Sequence, residues 1–308
     1  MVLNHLFPVF ALIVAGTLLR HSGMTTEPFL RTADRLVYYI FFPILLFWKI
    51  GAADLSALWR QGQAPVVLAV LAALAIQYVA STLFIWIAKV GRYQAGSFSQ
   101  SCYRFNTYIG MAVVITAMGD RGVQLFGVLI GIVIPIINAL AVTTLIWFSG
   151  TSQSPAGRAR FVLKSLLTNP LILACLAGLL YAALIGGFAP FIDNALRLAA
   201  SITLPLALLS IGGALTFKGV HGHLKLSAWA AGFKLVLFPL LGWWFLRLFD
   251  VSGLAFQVAM IFFALPTATS LYVLSSQLNS DTELASAAIV ASTLLSFFSL
   301  SAVLTLAI

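Results

Sequence analysis

The stretch FFALPTATSLYVLSSQ, residues 262–277, places a proline and several hydroxyl side chains in an otherwise apolar run. The run around it is long enough for a helix that crosses a bilayer. Proline removes a helical hydrogen bond and clashes with the preceding turn, so Pro266 predicts a break in this helix. Backbone groups freed at such a break need partners, and Thr267, Thr269 and Ser270 can supply them. The stretch therefore predicts a broken transmembrane helix with polar groups at its centre.

The whole chain has the composition of a helical membrane protein. Of its residues 61% are hydrophobic and only 8% are charged, which is more apolar surface than a soluble domain can bury. The apolar runs are about 20 residues long and lack the alternation of a β-barrel strand. Cys102 and Cys175 lie in apolar runs and are predicted to be small core residues, not a disulfide or a metal site. We therefore predict an all-α membrane protein.

Ten candidate spans follow one another with short connections. They are residues 3–20, 34–51, 63–88, 98–118, 122–148, 164–186, 190–215, 225–248, 253–277 and 282–307. The polar stretch SGTSQSPAGRAR at 149–160 predicts a linker, residues 151–160, between two halves of five spans each. The halves are residues 1–150 and 161–308.

Basic residues are concentrated in every second connection. The connections after spans 1, 3, 5 and 7 hold Arg20, Arg31, Arg35, Lys89, Arg92, Arg104, Arg158, Arg160, Lys164, Lys218 and Lys225, whereas the others hold Lys49, Arg60, Arg121, Arg197 and Arg247. Cytoplasmic connections carry the excess of Lys and Arg, so the first group is predicted to be cytoplasmic and both termini to be outside. This explains the net charge of +9 without a nucleic-acid partner. We expect a multi-pass protein of a bacterial inner membrane, with its first span retained.

The two halves resemble each other at an offset of 162 residues. Pro8 falls on Pro170, and Pro43 falls on Pro205, each pair at equivalent depth in its span. Because each half has an odd number of spans, the second half is predicted to be inverted relative to the first. At the same offset the opening stretch overlays YRFNTYIGMAVV, residues 103–114, in span 4.

Span 4 is therefore predicted to break at the depth of the break in span 9. Asn106 and Thr107 are the polar residues there, and Gly110 permits an irregular backbone. Broken helices at equivalent positions of inverted repeats indicate the substrate site of a transporter. The half-helix N-termini offer N–H groups and partial positive charge, which favour an anion such as a carboxylate. The alternative is that Pro266 only kinks its helix.

Several other polar residues within the spans have two interpretations each. Lys234 either balances an anion in the cavity or reaches the cytoplasmic headgroups with its long side chain. Arg104 either binds a carboxylate through its guanidinium group or lies at the interface as one of the cytoplasmic arginines. Gln77, Asn138 and Gln257 either line the cavity or join helices by hydrogen bonds.

Acidic residues are missing from the middle of every predicted span. All of them lie in connections or near span ends: Glu27, Asp34, Asp54, Asp120, Asp193, Asp250, Asp281 and Glu283. Carriers coupled to Na⁺ or H⁺ usually bind the cation with a buried carboxylate, so we favour transport without tight cation coupling. The sequence has no Gly-rich phosphate loop and no Cys/His cluster with metal spacing, and we predict no enzyme activity, cofactor or metal.

Five stretches together resemble the auxin efflux carrier family, whose plant branch is the PIN proteins, in the bile-acid-transporter-like superfamily. They are YYIFFPILLFWKI (38–50), RFNTYIGMAVVITAMGD (104–120), NPLILACLAGLL (169–180), ITLPLALLSIGGAL (202–215) and ALPTATSLYVLSSQLNSDTELASAAIVASTLLS (264–296). The resemblance covers essentially the whole chain in order. It implies ten spans in two inverted five-helix repeats, with spans 4 and 9 crossing as broken helices.

The resemblance also implies a division of roles. Spans 1, 2, 6 and 7 would form a scaffold, spans 3–5 and 8–10 a transport unit, and two chains a homodimer. Asn106 and Pro266 would stand at the crossover. In the plant branch a proline precedes the span-4 asparagine, whereas Phe105 stands there in this chain. The plant substrate is therefore not inherited by resemblance.

The sequence as a whole predicts a secondary transporter that exports or facilitates a small organic anion by alternating access around a mid-membrane site. The predicted substrate-binding residues are Gln77, Arg104, Asn106, Thr107, Asn138, Lys234, Pro266, Thr267, Thr269 and Ser270. One alternative is a carboxylate symporter of the same fold that is coupled to Na⁺ or H⁺. Another is a ligand sensor that uses the same pocket without transport.

Overall fold

The structure, a computed structural model, describes residues 2–53, 63–149, 163–164, 167–215 and 220–307. Every regular element in these ranges is a helix. In chain order the α-helices are α1 (Val2–His21), α2 (Glu27–Leu36), α3 (Phe42–Gly51), α4 (Gln63–Ile87), α5 (Arg92–Tyr103), α6 (Thr107–Ser149), α7 (Pro170–Leu184), α8 (Pro190–Ser201), α9 (Thr203–Ala214), α10 (Val220–Gly232), α11 (Phe238–Leu248), α12 (Gly253–Ala264), α13 (Ser270–Gln277) and α14 (Thr282–Leu306). The predicted all-helical class is confirmed. The predicted linker at 151–160 lies outside the described residues, as do Asp54, Arg60 and Lys218.

Six helical stretches are long and apolar enough to cross a membrane, judged by length and composition. They are Val2–His21, Ala64–Ile87, Arg92–Phe148, Pro190–Ala214, Gly222–Leu248 and Thr282–Leu306. Two shorter helices, Pro170–Leu184 and Gly253–Ala264, are also apolar. These are the elements of a multi-pass membrane protein. The arrangement of ten spans in two inverted repeats stays a prediction.

Several helix ends differ from the predicted span ends for local reasons. The element α7 begins at Pro170, not at 164, because the Asn169 side chain accepts the N–H groups of Leu171 and Ile172 and caps the helix there. The seventh predicted span is interrupted at Ile202, between α8 and α9. Proline lacks the N–H that an α-helix needs, so π-helical turns lie just before Pro43 and Pro239.

The described chain divides by its contacts into two units. The first unit contains Met1–Ala64, Met111–Pro135 and Ser165–Ala214. In it α1 packs against α9, and α3 packs against α7. A Cβ atom on Gly16 would lie 2.1 Å from the carbonyl oxygen of Leu209, so only glycine lets the two backbones approach this closely. Small residues thus hold α1 against α9.

A hydrogen bond supports the irregular turn between α2 and α3 in the same unit. Phe41 is the last residue of the π-helical turn Val37–Phe41, and the hydroxyl of Thr203 donates to its carbonyl at 3.0 Å. Thr203 is fully buried at the first position of α9. The π-helical turn before α3 is thus hydrogen-bonded to the residue that follows the interruption at Ile202.

The helix α6 contains an internal break at its exposed turn. Gly119 has φ 62° and ψ −158°, a conformation that glycine tolerates and that separates the helical segment before it from the segment after it. The next residue, Asp120, accepts a hydrogen bond from the ammonium group of Lys49 at 2.7 Å. This break lies between the predicted end of span 4 and the predicted start of span 5.

The second unit contains Pro65–Gly110, Ile136–Lys164 and Leu215–Ile308. In it α14 packs against α5, α10 and α12, and α11 packs against α12. The rings of Phe84 and Phe98 stack at 5.1 Å between α4 and α5. Gly242 of α11 lies against the ring of Phe263, where a Cβ atom would come within 2.1 Å. This unit contains both of the helix interruptions that the sequence predicted, whereas the helix after the first one passes into the first unit at Met111.

Candidate functional site

The first interruption separates α5 from α6. Helix α5 ends at Tyr103, Arg104 is extended with φ −65° and ψ 147°, and α6 begins at Thr107. The side-chain oxygen of Asn106 accepts the N–H groups of Tyr108 and Ile109, both at 3.1 Å. Asn106 therefore caps α6 and satisfies two donors that the break exposes.

The second interruption separates α12 from α13. Helix α12 ends at Ala264, and Leu265 has the same extended conformation as Arg104, with φ −65° and ψ 147°. Helix α13 begins at Ser270, after Thr269, whose side chain makes no capping hydrogen bond. The predicted break at Pro266 is thus observed, and the N-terminus of α13 has no side-chain cap.

The two interruptions contact each other directly. The backbone N–H of Asn106 donates to the carbonyl of Pro266 at 2.8 Å. The hydroxyl of Thr267 donates to the carbonyl of Ser101 at 2.8 Å, and its N–H donates to Ser292 at 3.1 Å. Each broken segment thus satisfies backbone groups of the other, and the two cross at this point.

Two polar side chains donate to backbone carbonyls at the ends of α5 and α12 and in the π-helical turn between α10 and α11. The amide of Gln77 donates to the carbonyls of Cys102 and Phe233, at 2.8 and 2.7 Å. The ammonium group of Lys234 donates to the carbonyl of Phe263 at 3.0 Å, in the last turn of α12. A cation is favourable at this negative end of a helix.

The position of Lys234 excludes one of its two predicted roles. Its side chain is fully buried and lies 4.7 Å from the ring centre of Phe238. A lysine that reaches the headgroups must extend to the protein surface, so that interpretation is wrong. A role as counter-charge for a substrate stays a prediction.

Arg104 connects the two interruptions through a side chain. Its guanidinium group donates to the hydroxyl of Ser270 at 2.9 Å, at the N-terminus of α13. Arg104 is only 8% exposed. A positive side chain at a positive helix end is unfavourable by itself, and an anion bound there would relieve the repulsion.

Two predicted site residues at the crossing each have a buried side-chain atom with no hydrogen-bond partner among the described residues. The atoms are the side-chain nitrogen of Asn106 and the side-chain oxygen of Gln77. Leaving a buried polar group unsatisfied costs about 1–3 kcal/mol. The amide nitrogen of Asn106, which is 1% exposed, is therefore available to donate to a bound molecule.

The remaining predicted site residues are less closely connected. Thr107 and Thr269 are half-buried at the first turns of α6 and α13. Asn138 is half-buried in α6, and its side chain makes no hydrogen bond within the described ranges 2–53, 63–149, 163–164, 167–215 and 220–307. No observed contact brings Asn138 to the crossing.

Sequence reasoning missed a set of buried serines that supports the crossing. The hydroxyl of Ser97 donates to the carbonyl of Asp281 at 2.7 Å and lies within hydrogen-bond distance of Ser275 and Ser280. These contacts tie α5 to the turn between α13 and α14. The run GSFSQSC at 96–102 was the available signal, since an apolar helix rarely carries so many small polar residues without a helix partner.

The described residues contain no group of three His, Cys, Asp or Glu side chains that could hold a metal ion. Cys102 and Cys175 are buried free thiols, as the sequence predicted. The site is therefore built from amides, hydroxyls, backbone groups and two buried cations.

Interrupted helices that meet within an apolar bundle are typical of membrane transporters, where irregular backbone is tolerated if it lines a cavity. The chain matches the membrane transport protein family over residues 1–304 and belongs to that family, which confirms the resemblance to auxin efflux carriers. An uncharacterized transporter of Methanothermobacter thermautotrophicus is 24% identical over 299 residues, which cover 95% of this chain and 94% of that protein.

Proposed function

We propose that the protein is a secondary transporter of a small organic anion, such as a carboxylate, that works by alternating access and serves efflux or uniport. The observation that carries the proposal is the crossing of the two broken helices. There the amide nitrogen of Asn106 is buried with no partner among the described residues, and Arg104 lies at the end of α13 that has no side-chain cap.

An anion fits this site better than a cation because every charge at the crossing is positive. Arg104 and Lys234 are both buried there, and the N-terminus of α13 adds a partial positive charge. Residues 92–118 and 253–280, which form the interrupted segments and their flanks, contain no Asp or Glu. A carboxylate would accept hydrogen bonds from the Asn106 amide and from Arg104.

Transport without a coupling ion is consistent with the same lack of carboxylates. A membrane potential of 100 mV, negative inside, supplies about 2.3 kcal/mol for export of one negative charge. That driving force is sufficient for efflux of a monovalent anion. Coupling to Na⁺ or H⁺ would ordinarily use a buried acidic residue.

Contacts within the first unit support an inverted repeat. At the offset of 162 residues, spans 1 and 2 correspond to spans 6 and 7. Helices α1 and α9 lie in spans 1 and 7, and helices α7 and α3 lie in spans 6 and 2. In an inverted repeat the contact between spans 1 and 7 has the contact between spans 6 and 2 as its equivalent, and both contacts are present. Phe41 and Thr203, which are hydrogen-bonded, are separated by this same offset of 162 residues. Equivalent residues that touch lie near a two-fold axis.

We further propose that spans 1, 2, 6 and 7 form the scaffold and that spans 3–5 and 8–10 form the transport unit. The first contact unit contains the described parts of spans 1, 2, 6 and 7, together with Met111–Pro135, and the second contains both interruptions. In this proposal the protein is a homodimer in a bacterial inner membrane with both termini outside.

Counterflow in proteoliposomes tests the proposal. The purified chain is first screened for thermal stabilisation by a panel of carboxylates, and those that stabilise it are then used as labelled substrates. We expect flux that responds to membrane potential with no Na⁺ or H⁺ gradient. Flux that requires such a gradient would indicate a symporter, and stabilising ligands without any flux would indicate a sensor.

A further inference from the structure

A cleft of about 310 Å³ opens in the second unit, away from the crossing residues. It lies where the end of α4, the start of α5 and the end of α6 come together. One wall consists of Trp86, Lys89 and Arg92, from the end of α4 to the start of α5. The other wall consists of Trp147 and Phe148, at the end of α6. The cleft thus combines two cations with large aromatic side chains.

The turn between α4 and α5 brings the two cations together. Lys89 has a positive φ of 51°, and the N–H of Val90 donates to the carbonyl of Ile85 at 3.0 Å, which closes the end of α4. Helix α5 then begins at Arg92. Lys89 and Arg92 therefore project from the same short turn, and both are exposed.

Neither cation has a counter-charge in the part of the chain that the structure describes. Neither Lys89 nor Arg92 takes part in an ion pair with any described residue. Between residues 55 and 192 the sequence has one acidic residue, Asp120, and that residue pairs with Lys49. The turn that holds Asp281 and Glu283 hydrogen-bonds to the backbone of Tyr93, but both carboxylates lie against His223. The lining of the cleft itself therefore has two positive side chains and no negative one.

The aromatic walls indicate where the ligand of these cations comes from. Trp86 is 65% exposed and Trp147 is 62% exposed, each at an end of a long apolar helix. Exposed tryptophans at helix ends are typical of the boundary between hydrocarbon and headgroups. A small soluble anion would contact the cations but not the apolar surface. A phospholipid can contact both, because it has a phosphate and acyl chains.

We propose that this cleft binds an anionic glycerophospholipid. Its phosphate lies between Lys89 and Arg92, and its glycerol and upper acyl chain lie against Trp86 and Trp147. Basic pockets between transmembrane helices are known to select such headgroups, chiefly on the cytoplasmic side. The basic-residue pattern predicts that side for the turn between α4 and α5. The site is independent of the anion site at the crossing.

Native mass spectrometry of the full chain in detergent tests the proposal with phosphatidylglycerol as the probe. We expect bound phosphatidylglycerol on the unchanged chain and about 30-fold weaker binding to the double variant Lys89→Gln/Arg92→Gln, because two cations near the phosphate are lost. The matched control is Arg31→Gln/Arg35→Gln, which removes two cations predicted on the same side but outside the cleft. It should bind like the unchanged chain.

Three results would overturn the assignment. The first is equal binding by the cleft variant and the unchanged chain. The second is an equal loss in the Arg31→Gln/Arg35→Gln control, which would indicate general charge attraction. The third is displacement of the lipid by millimolar inorganic phosphate, or equal binding of phosphatidylcholine, since either would show that the cleft does not select an anionic lipid. A selective loss in Trp147→Ala would support contact with the acyl chain.

Discussion

The two interruptions at the crossing begin alike and end differently. Arg104 and Leu265 have the same extended conformation where their helices stop. After the break, α6 is capped by the side chain of Asn106, whereas α13 starts at Ser270 and the preceding Thr269 makes no side-chain cap. The positive end of α6 is therefore partly satisfied from within, and the positive end of α13 is open.

This difference assigns distinct roles to two halves that the sequence presents as equivalents. The α13 end, with Arg104 beside it, is the place where an anion gains most. The α6 end contributes the amide nitrogen of Asn106, which has no partner in the described part of the chain, and otherwise supports the crossing. The proposed site is asymmetric even though the predicted repeat is symmetric, and substitutions can separate the two contributions.

The largest expected effect comes from Asn106→Asp. An aspartate keeps the oxygen that caps α6 but replaces the free amide donor by a negative charge. A like charge beside a bound carboxylate costs several kcal/mol, so we expect counterflow to fall about 100-fold or more. The melting temperature should stay close to that of the unchanged chain, because the cap is retained.

Asn106→Ala and Asn169→Ala complete this test. Asn106→Ala removes both the cap and the donor, so it should lose flux and also about 1 kcal/mol of stability. Asn169 caps α7 in the first unit with the same pair of hydrogen bonds. Asn169→Ala should lose similar stability and keep its flux per folded molecule. Full flux in Asn106→Asp would remove Asn106 from the site.

The next effect in size is expected for Arg104→Gln. Hydrogen bonds to charged groups contribute about 1.5–3 kcal/mol, so the apparent affinity for the anion should fall about 10- to 100-fold. Arg104→Lys keeps the charge but not the planar fork and should fall in between. The apparent KM in counterflow measures this. Unchanged affinity in Arg104→Gln would place the anion elsewhere.

Lys234→Met should have a smaller effect, on rate more than on affinity. The lysine donates to the Phe263 carbonyl at the end of α12, so its loss leaves a buried acceptor unpaired, at a cost of about 1–3 kcal/mol. We expect the maximal rate to fall about tenfold and the protein to melt earlier. A selective loss of affinity without loss of stability would instead support Lys234 as a direct counter-charge.

The sequence was sufficient to predict both interruptions, because their causes are local. Pro266 cannot continue a helix, and Asn106 is a strong capping residue. Proline alone was not decisive, however: Pro8 and Pro135 lie inside α1 and α6 without ending them. The π-helical turn before Pro43 was not predicted, although the missing N–H is readable in the sequence.

The partners of the polar side chains could not be predicted, because they come from distant parts of the chain. The hydroxyl of Thr267 donates to the carbonyl of Ser101, which is 166 residues away in the sequence. Whether Lys234 points outward or toward Phe263 depends on packing between helices and not on its neighbours in sequence. Residue type thus indicated several of the side chains that gather at the crossing, with Asn138 as an exception, but not the partners of their atoms.

The smallest expected effect on transport lies in the first unit, where packing depends on glycine. In Gly16→Ala the added methyl group would lie 2.1 Å from the Leu209 carbonyl oxygen, so α1 and α9 must separate. Overpacking of this kind costs about 1–3 kcal/mol, and the melting temperature should fall. The apparent KM for the anion should not change, because the crossing residues belong to the second unit.

Gly232→Ala is the matched control for this last prediction. An added Cβ at Gly232 meets nothing within 4 Å, and alanine is the better helix former by about 1 kcal/mol. The variant should melt at the same temperature or higher, with normal flux. If Gly16→Ala instead changes the affinity for the anion at unchanged stability, the α1–α9 contact influences the site, and the assignment of binding to the crossing alone is wrong.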